Sequence, residues 1–494
     1  MSVELILVIV GIVFLALLVA ETPIAFCLAG AGALGIVLLK SVGVADGAMG
    51  TVPFIATSKY GLTVIPMYVL LGMLALHGKL ATRLYAVASR LLGWLPGGLG
   101  IATVGACAGF AAVSGSSIAT AATIGKLATA EMRRYGYPPA LAGGVVAAAG
   151  SLGVLIPPSI LIVMYSILAE VSIGNMLVAG IVPGIVLAGA YAVYVLIRAK
   201  NLNLGAGTTL AAELAIAGGL STTTTRTAAA TAQSTASTRA MNAAPGSAHT
   251  GGGTAVATLE RDDDPAAPEN PTSFQMVRAV VWIVLIFTAI LSGLFTGVFT
   301  VIESAAVGAL LALVMMVVES GKSGPRVVLR RLKDSALEST SVIAMAFGMV
   351  IGAMILTRFL VMARVPNRLS EWITSLDVAP AIIVIAILLS LIPLGMFLES
   401  LSILVIVVPL VAPVVHDLGF DPIWFGILFV MMVELGLITP PVGMNVFVTS
   451  TTSRIPIEKV FRGAMPFFLV SLVVVALLFV FPEIVTWLPD LLPD

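Results

Sequence analysis

The stretch Gly153-Val154-Leu155-Ile156-Pro157-Pro158-Ser159 interrupts a long apolar run, and a related stretch returns as Gly436-Leu437-Ile438-Thr439-Pro440-Pro441-Val442. A proline removes a backbone donor and clashes with the preceding helical turn, so a helix is expected to break at both places. In lipid, broken backbone is tolerated only where protein or a water-filled cavity covers it. The sequence therefore predicts two broken helices, here named the first break (153–159) and the second break (436–442), that line a binding site.

The composition is that of a protein with many membrane-spanning helices. Of the 494 residues, 59% are hydrophobic and only 10% are charged. A water-soluble domain of this length cannot bury so much apolar surface, so an all-α polytopic membrane protein is predicted. The formal net charge is zero, which gives no reason to expect a nucleic-acid partner.

Two apolar stretches, at about 98–125 and about 380–415, have small or polar residues at their centres. The centre of the first is Ser114-Gly115-Ser116-Ser117, and that of the second is Glu399-Ser400-Leu401-Ser402. We name these the first tip and the second tip. Each pattern is typical of a re-entrant helical hairpin that turns inside the membrane. The alternative is an ordinary span whose Gly and Ser residues pack against neighbouring helices.

The charged residues around the two hairpins predict opposite orientations. Cytoplasmic flanks of membrane segments are enriched in Lys and Arg. The residues flanking the first hairpin are basic: Arg83, Arg90, Lys126, Arg133 and Arg134. The immediate flanks of the second hairpin contain no Lys or Arg, and their ionisable residues are Asp377, His416, Asp417 and Asp421. Alternating the spans outward from these hairpins places Arg278 on the cytoplasmic side as well, so the two halves are predicted to run in opposite directions.

The chain divides into two matching halves. Residues 200–275 are rich in Thr, Ala, Gly, Ser and Pro and are predicted to be a disordered cytoplasmic linker between repeats at 1–199 and 276–494. The double prolines are 283 positions apart (440 − 157 = 283). Further pairs at the same separation are Gly153 and Gly436, Gly180 and Gly463, Pro183 and Pro466, and Ser117 and Ser400. Together with the charges, this predicts an inverted repeat, an architecture common among secondary transporters.

Tips and breaks that meet near the membrane midplane suit both a hard cation and an anion. Free carbonyls and hydroxyls are ligands for Na⁺, and helix N-termini bind carboxylates. We expect one Na⁺ site in each half, and the predicted ligands are Ser114, Ser116, Ser117, Gly153 and Ile156 in the first and Glu399, Ser400, Gly436 and Thr439 in the second. An anionic substrate is expected between the tips, and its predicted contacts are Ser116, Pro157, Ser159, Ser402, Pro440 and Asn445.

Two carboxylates are costly at membrane depth, and such groups usually have a function. Glu399 at the second tip either caps the tip helix, supports a cation or carries a proton, and the first two roles are favoured. Glu434 lies just before the second break, where a structural role and a site-lining role both fit.

The first tip, the first break, the run Gly293–Glu303, Gly395–Glu399 and Gly436–Asn445 together resemble the large membrane subunit of tripartite ATP-independent periplasmic (TRAP) transporters. The resemblance covers nearly the whole chain except the linker. It implies an elevator-type transporter in a bacterial inner membrane that takes up an organic acid, such as a C4-dicarboxylate or sialic acid, by symport with Na⁺. It also implies membrane lipid and two protein partners, a small membrane subunit and a periplasmic substrate-binding protein.

The sequence departs from that family pattern in two respects. The linker is longer than expected, and Glu399 stands where Asp is also common. No small-subunit sequence is fused to this chain, so that partner is expected to be a separate chain.

The sequence can be compared with the requirements of three other functions. A carboxylate transporter coupled to Na⁺ or H⁺ and working without a binding protein is the nearest alternative. An intramembrane hydrolase would need a base beside a tip serine, and the apolar segments around the first tip contain no His or Lys. A passive channel would not need two inverted gates. There is no Walker-type phosphate loop, which argues against direct ATP drive.

Overall fold

The computed structural model describes residues 2–202, 273–321, 324–375 and 378–491, and the regular secondary structure in these ranges is entirely helical. This confirms the predicted all-α polytopic fold. Eight helices in the described ranges are long and apolar enough to cross a bilayer. The pair Pro139–Leu155 and Ile160–Leu168 passes the same test as one span bent by 47°. Most of the predicted linker, 203–272, lies outside the described residues.

The first half contains twelve helices among its described residues, and several begin at a serine that caps the free backbone N–H groups. Ser2, Ser116, Ser159 and Ser172 each accept a bond from the first turn of the helix that follows. In chain order the helices are α1 (Val3–Val19), α2 (Ile24–Leu39), α3 (Val42–Ser58), α4 (Val64–His77), α5 (Leu80–Leu92), α6 (Gly98–Ser114), α7 (Ser117–Arg134), α8 (Pro139–Gly150), α9 (Leu152–Leu155), α10 (Ile160–Leu168), α11 (Ile173–Ala179) and α12 (Ile181–Asn201).

The second half contains ten helices among its described residues, with a capping box of Thr300 and Glu303 at the start of one and Asp421 capping another. In order they are α13 (Ser273–Phe295), α14 (Val301–Ser320), α15 (Pro325–Met362), α16 (Val365–Ser375), α17 (Pro380–Phe397), α18 (Ser400–Asp417), α19 (Pro422–Gly436), α20 (Met444–Ser453), α21 (Ile457–Val480) and α22 (Glu483–Thr486).

The helix boundaries of the two halves correspond at the same shift of 283 positions. Helix α7 covers 117–134 and α18 covers 400–417, so both ends differ by 283. Helices α8 and α19, which lead into the two breaks, begin at Pro139 and Pro422. Because the tips and breaks lie at equivalent places in the two halves, the sequence repeat is also a repeat of helix boundaries.

Small residues let helices from different halves approach closely, as is usual inside a membrane. A Cβ added to Gly32 of α2 would lie 2.7 Å from the backbone nitrogen of Leu356 in α15. Gly144 of α8 and Gly463 of α21 also lie at a close contact: a Cβ on Gly144 would overlap the main chain of Gly463, and one on Gly463 would overlap the carbonyl group of Ala140 in α8. The largest cluster of buried apolar side chains includes residues of both halves, so the two repeats share one core.

Polar contacts also join the halves. The buried Glu319 of α14 forms ion pairs with Arg83 of α5 and with Arg278 of α13, and the latter joins Nε to Oε1 at 2.5 Å. Tyr191 and Ser471 share a hydrogen bond of 2.6 Å. The charge pattern assigns Arg83 and Arg278 to the same side of the membrane, and the structure brings both to one carboxylate.

Two features of the helices differ from expectation. The first hairpin was predicted to end at about 125, but α7 continues to Arg134 because its polar, partly buried surface packs along α8 and α20. Helix α3 was not predicted, since Val42–Ser58 contains Pro53 and several glycines. Its Ala45, Ala48 and Val52 join a small separate core with α1, α2 and α15. Packing on these neighbours outweighs its poor helix propensity.

Candidate functional site

The first tip is a tight turn between α6 and α7. Gly115 has φ +60°, a left-handed conformation that glycine adopts without strain. Ser116 is the N-cap of α7 and accepts a bond from the backbone N–H of Ala119. The Thr120 hydroxyl donates to the Ser116 carbonyl at 2.7 Å and lies 3.0 Å from the Ser114 hydroxyl. The tip therefore gathers three side-chain oxygens and a carbonyl in one turn.

The first break packs directly on the first tip. A Cβ added to Gly153 would lie 2.8 Å from the Ser116 carbonyl oxygen, and one added to Gly115 would lie 2.7 Å from that of Pro158. Only glycine at these two positions allows so close an approach. The structure thus brings the predicted residues Ser114, Ser116 and Gly153 together.

The remaining predicted residues of the first break occupy its turn. Ile156 is the extended C-cap of α9, and Pro157 follows it, joined to Pro158 by a cis peptide bond. Ser159 is fully buried and caps α10 by accepting a bond from the backbone N–H of Ile162 at 3.3 Å. Its hydroxyl thus serves the helix end in this structure, beside the tip.

The second tip joins α17 to α18 through Leu398 and Glu399. Glu399 stands at the N-cap of α18, but its side chain makes no capping bond. Ser400 donates its hydroxyl proton to Oε1 of Glu434 at 2.9 Å. Ser402 is buried two residues further along α18, and its hydroxyl lies 3.8 Å from the sulfur of Met349. Of the two roles favoured for Glu399, the structure shows no capping bond, and cation support stays a prediction.

The second break lies against the second hairpin. A Cβ on Gly395 of α17 would lie 2.8 Å from Cα of Gly436, so these glycines allow the helices to touch. The Thr439 hydroxyl donates to the carbonyl of Leu435 at 2.6 Å. Pro440 is exposed, whereas Pro157 at the equivalent position is buried. The predicted residues Ser400, Gly436 and Thr439 thus surround one end of α19.

Asn445 in α20 is a buried polar side chain without a partner. It is 0% exposed, and neither its amide nitrogen nor its amide oxygen has a hydrogen-bond partner, although its backbone N–H donates to the carbonyl of Leu437. Unsatisfied buried polar atoms are uncommon and each calls for an explanation. A bound ion, water or substrate group would supply the missing partner, which is why Asn445 stays in the predicted substrate site.

Glu434 is a second carboxylate whose role the sequence left open. It is 3% exposed, and its Oε1 accepts bonds from Ser400 at 2.9 Å and from Ser117 at 3.4 Å, while Oε2 has no partner. One carboxylate therefore contacts both tips. The signal available in the sequence was a single acidic residue in an otherwise apolar helix, α19, next to a predicted break.

A small cavity of about 10 Å³ lies beside Glu434, where the two repeats meet. Its lining includes equivalent residues from each repeat, Ser151 with Glu434 and Leu155 with Ile438, each pair 283 positions apart. A space of this size holds about one water molecule. The polar lining is completed by Tyr191 and Ser471.

The oxygens around the tips and breaks are hydroxyls, carbonyls and two carboxylates. Such ligands suit hard cations rather than transition metals. In the part of the chain that the structure describes, no three His, Cys, Asp or Glu residues lie together as they would around a transition metal. Four helices (α7, α10, α18 and α20) begin at a tip or a break, and their N-termini favour negative charge.

Comparison with known proteins gives one consistent result. A family model described as "Tripartite ATP-independent periplasmic transporter, DctM component" matches residues 11–484. The C4-dicarboxylate TRAP transporter large permease protein DctM of Pseudomonas aeruginosa is 32% identical over 440 residues, which cover 88% of each chain. The sialic acid TRAP transporter large permease protein SiaM of Vibrio cholerae is 27% identical over 484 residues, covering 98% of each chain.

A solved structure shares the fold. The crystal structure of the Alcanivorax borkumensis YdaH transporter matches with a TM-score of 0.57, covering 89% of this chain and 88% of that chain. Sequence identity over the match is 14%, so the likeness is one of architecture.

Proposed function

The chain belongs to the DctM family of tripartite ATP-independent periplasmic transporters, as their large permease subunit, and from this premise we propose that it carries an organic acid across the bacterial inner membrane by symport with Na⁺. It is a transporter subunit and not an enzyme. The observation that carries the proposal is the pairing of each polar tip with a broken helix, which collects oxygen ligands at two equivalent places.

Sodium is the proposed coupling ion because the two places offer oxygen ligands of the kind that Na⁺ takes. Ser114, Ser116, Ser117, Gly153 and Ile156 would contribute to the first site, and Glu399, Ser400, Gly436 and Thr439 to the second. Free carbonyls at the C-terminal ends of broken helices are typical ligands for a coupling ion in transporters of this architecture. The Thr439 hydroxyl, which donates to the Leu435 carbonyl near the end of α19, would turn to the cation in the second site.

An organic anion is the proposed substrate because four helices begin at the tips and breaks, where their N-termini favour negative charge. The unpartnered amide of Asn445 lies next to the second break and would donate to a carboxylate. The relative with 32% identity is named for C4-dicarboxylates, and the relative with 27% identity for sialic acid. We therefore propose a C4-dicarboxylate as the first substrate to test and a sugar acid as the second.

The proposed partners are a small membrane subunit and a periplasmic binding protein that delivers the acid, with membrane lipid around the helices. Transport would proceed by an elevator movement of the tips and breaks between the two sides of the membrane, which requires the opposite orientation of the two repeats. A carboxylate transporter that works without a binding protein is the alternative.

Uptake in proteoliposomes tests the proposal. The chain is reconstituted with its small subunit, and accumulation of radiolabelled succinate is measured with and without the binding protein and with an inward Na⁺ or H⁺ gradient. We expect accumulation that requires both the Na⁺ gradient and the binding protein. Accumulation driven by the proton gradient in Na⁺-free buffer would contradict Na⁺ coupling, and accumulation without the binding protein would favour the alternative. Parallel assays with sialic acid decide the substrate class.

A further inference from the structure

Among the residues that the structure describes, the Glu434 carboxylate is the one group that forms hydrogen bonds to both tips. Its Oε1 atom accepts the hydroxyl proton of Ser117 from the first tip and of Ser400 from the second. A single oxygen atom therefore links the two tips, through a bond of 2.9 Å to Ser400 and a longer one of 3.4 Å to Ser117.

The first repeat has no carboxylate at the position equivalent to Glu434. Ser117 and Ser400 are equivalent residues, but the residue equivalent to Glu434 is Ser151 (434 − 151 = 283). The Ser151 hydroxyl donates to the carbonyl of Ala148 in its own helix at 2.6 Å and makes no bond to a tip. The second repeat alone thus supplies a group that serves the tips of both.

The carboxylate is kept in place without an opposite charge. Glu434 is 3% exposed, and within the described ranges it has no ion-pair partner, in contrast to Glu319 with its two arginines. An unpaired carboxylate is costly at membrane depth and such groups are usually functional. A neutral side chain would fill the same space at lower cost, so packing alone does not explain this residue.

The position of the two serines shows how the carboxylate could act. Ser117 is the first residue of α7 and Ser400 the first residue of α18, so each stands where its hairpin turns. Each serine that donates its hydroxyl proton to Glu434 keeps its oxygen lone pairs for a cation, so a cation that orders one serine also fixes the carboxylate that orders the other. Cation binding at one tip thereby changes the cation affinity of the other tip. This change is what a coupling free energy between two sites describes.

We propose that Glu434 is a positioning residue that ties the two tips together, so that the two cation sites act cooperatively. The inference rests on the proposed function, since it needs a cation at each tip, and it adds a coupling between them. The essential property is the hydrogen-bond acceptor that both serines share, rather than a direct bond from Glu434 to the ion.

The Na⁺ dependence of uptake tests this proposal with four variants of the reconstituted complex. Glu434→Met keeps the volume but removes the acceptor, and Glu434→Gln keeps an acceptor oxygen for both serines. Ser151→Ala is the matched control, because it lines the same cavity without contacting a tip. Succinate uptake is measured against Na⁺ concentration, and folding is checked by a thermal transition. Glu434→Ala is the fourth variant, for use if Glu434→Met does not fold.

For Glu434→Met, the Na⁺ concentration for half-maximal uptake should rise about tenfold or more, and the Hill coefficient should fall to about 1, as for independent sites. Glu434→Gln should restore the Hill coefficient of the wild type, and Ser151→Ala should not change it. Loss of cooperativity in Glu434→Gln equal to that in Glu434→Met would overturn the proposal, since charge and not the shared acceptor would then matter.

An unchanged Hill coefficient in a folded Glu434→Met or Glu434→Ala variant would also contradict the proposed link between the tips, while leaving the proposed function intact. A wild type whose uptake does not depend on Na⁺ would overturn both. The two failures are thus distinguished in one assay.

Discussion

The first break and the second break share a sequence pattern but not an environment. Pro157, Pro158 and Ser159 are buried, whereas Pro440, Pro441 and Val442 are exposed. The first break is covered because Gly115 of the first tip lies against the Pro158 carbonyl. The equivalent position, just before the second tip, is Leu398 (398 − 115 = 283), whose backbone is extended rather than left-handed. The backbone beside the buried break and the backbone beside the exposed break therefore differ at equivalent positions.

The repeat thus specifies where the backbone breaks, whereas the exposure of each break differs between the two halves. In an alternating-access transporter the two sides must differ at any moment. Three experiments test this difference between the two breaks, and they are given from the largest expected effect to the smallest.

The largest effect is expected from Gly115→Leu, which gives the first tip the residue of the second. A Cβ at this position would lie 2.7 Å from the Pro158 oxygen, and the φ of +60° is unfavourable for leucine. Left-handed strain and overpacking together should destabilise the first tip by roughly 2–5 kcal/mol. Uptake should be lost in proteoliposomes while the chain is still inserted.

The reverse change, Leu398→Gly, is the control for that variant. It introduces no clash and should reduce uptake far less than Gly115→Leu. Equal losses in both variants would show that the close contact at the first tip has no special importance.

The second experiment compares the chemical accessibility of equivalent positions in the two breaks. Val442 is 39% exposed and Ser159, at the equivalent position, is 0% exposed. We expect Val442→Cys to react with N-ethylmaleimide at least about tenfold faster than Ser159→Cys, because a buried thiol reacts only after local opening. The native Cys27 and Cys107 are both buried, so the wild type gives the background. Similar rates at the two positions would mean that both breaks open equally often.

The smallest effect is expected from Thr439→Ile, which copies Ile156 into the second break. Thr439 is a proposed Na⁺ ligand through its hydroxyl, whereas Ile156 offers only a carbonyl. Losing one neutral oxygen ligand should raise the half-maximal Na⁺ concentration for uptake roughly three- to tenfold. Thr439→Ser, which retains the hydroxyl, should remain near the wild-type value. An unchanged Na⁺ dependence in the isoleucine variant would remove the Thr439 side chain from the site.

The sequence predicted the features that follow from local chemistry. Paired prolines located both breaks, and small or polar residues within apolar stretches located both tips, with Gly and Ser in the first and Glu and Ser in the second. The role of Glu434 was not predictable, because its bond to Ser117 joins residues 317 positions apart and depends on how the helices pack. The difference in exposure between Pro157 and Pro440 was missed for the same reason. Helix α3 was not predicted because Pro53 interrupts the helical sequence pattern, although the helix continues through it.

The pairing of Ser151 with Glu434 at the central cavity bears on how such a chain could arise. A homodimer built from two copies of the second repeat would place two carboxylates around a space of about 10 Å³, where like charges repel strongly. A homodimer of the first repeat would place two hydroxyls there and no charge. A single carboxylate between the copies requires two copies that differ in sequence, as the two halves of this chain do.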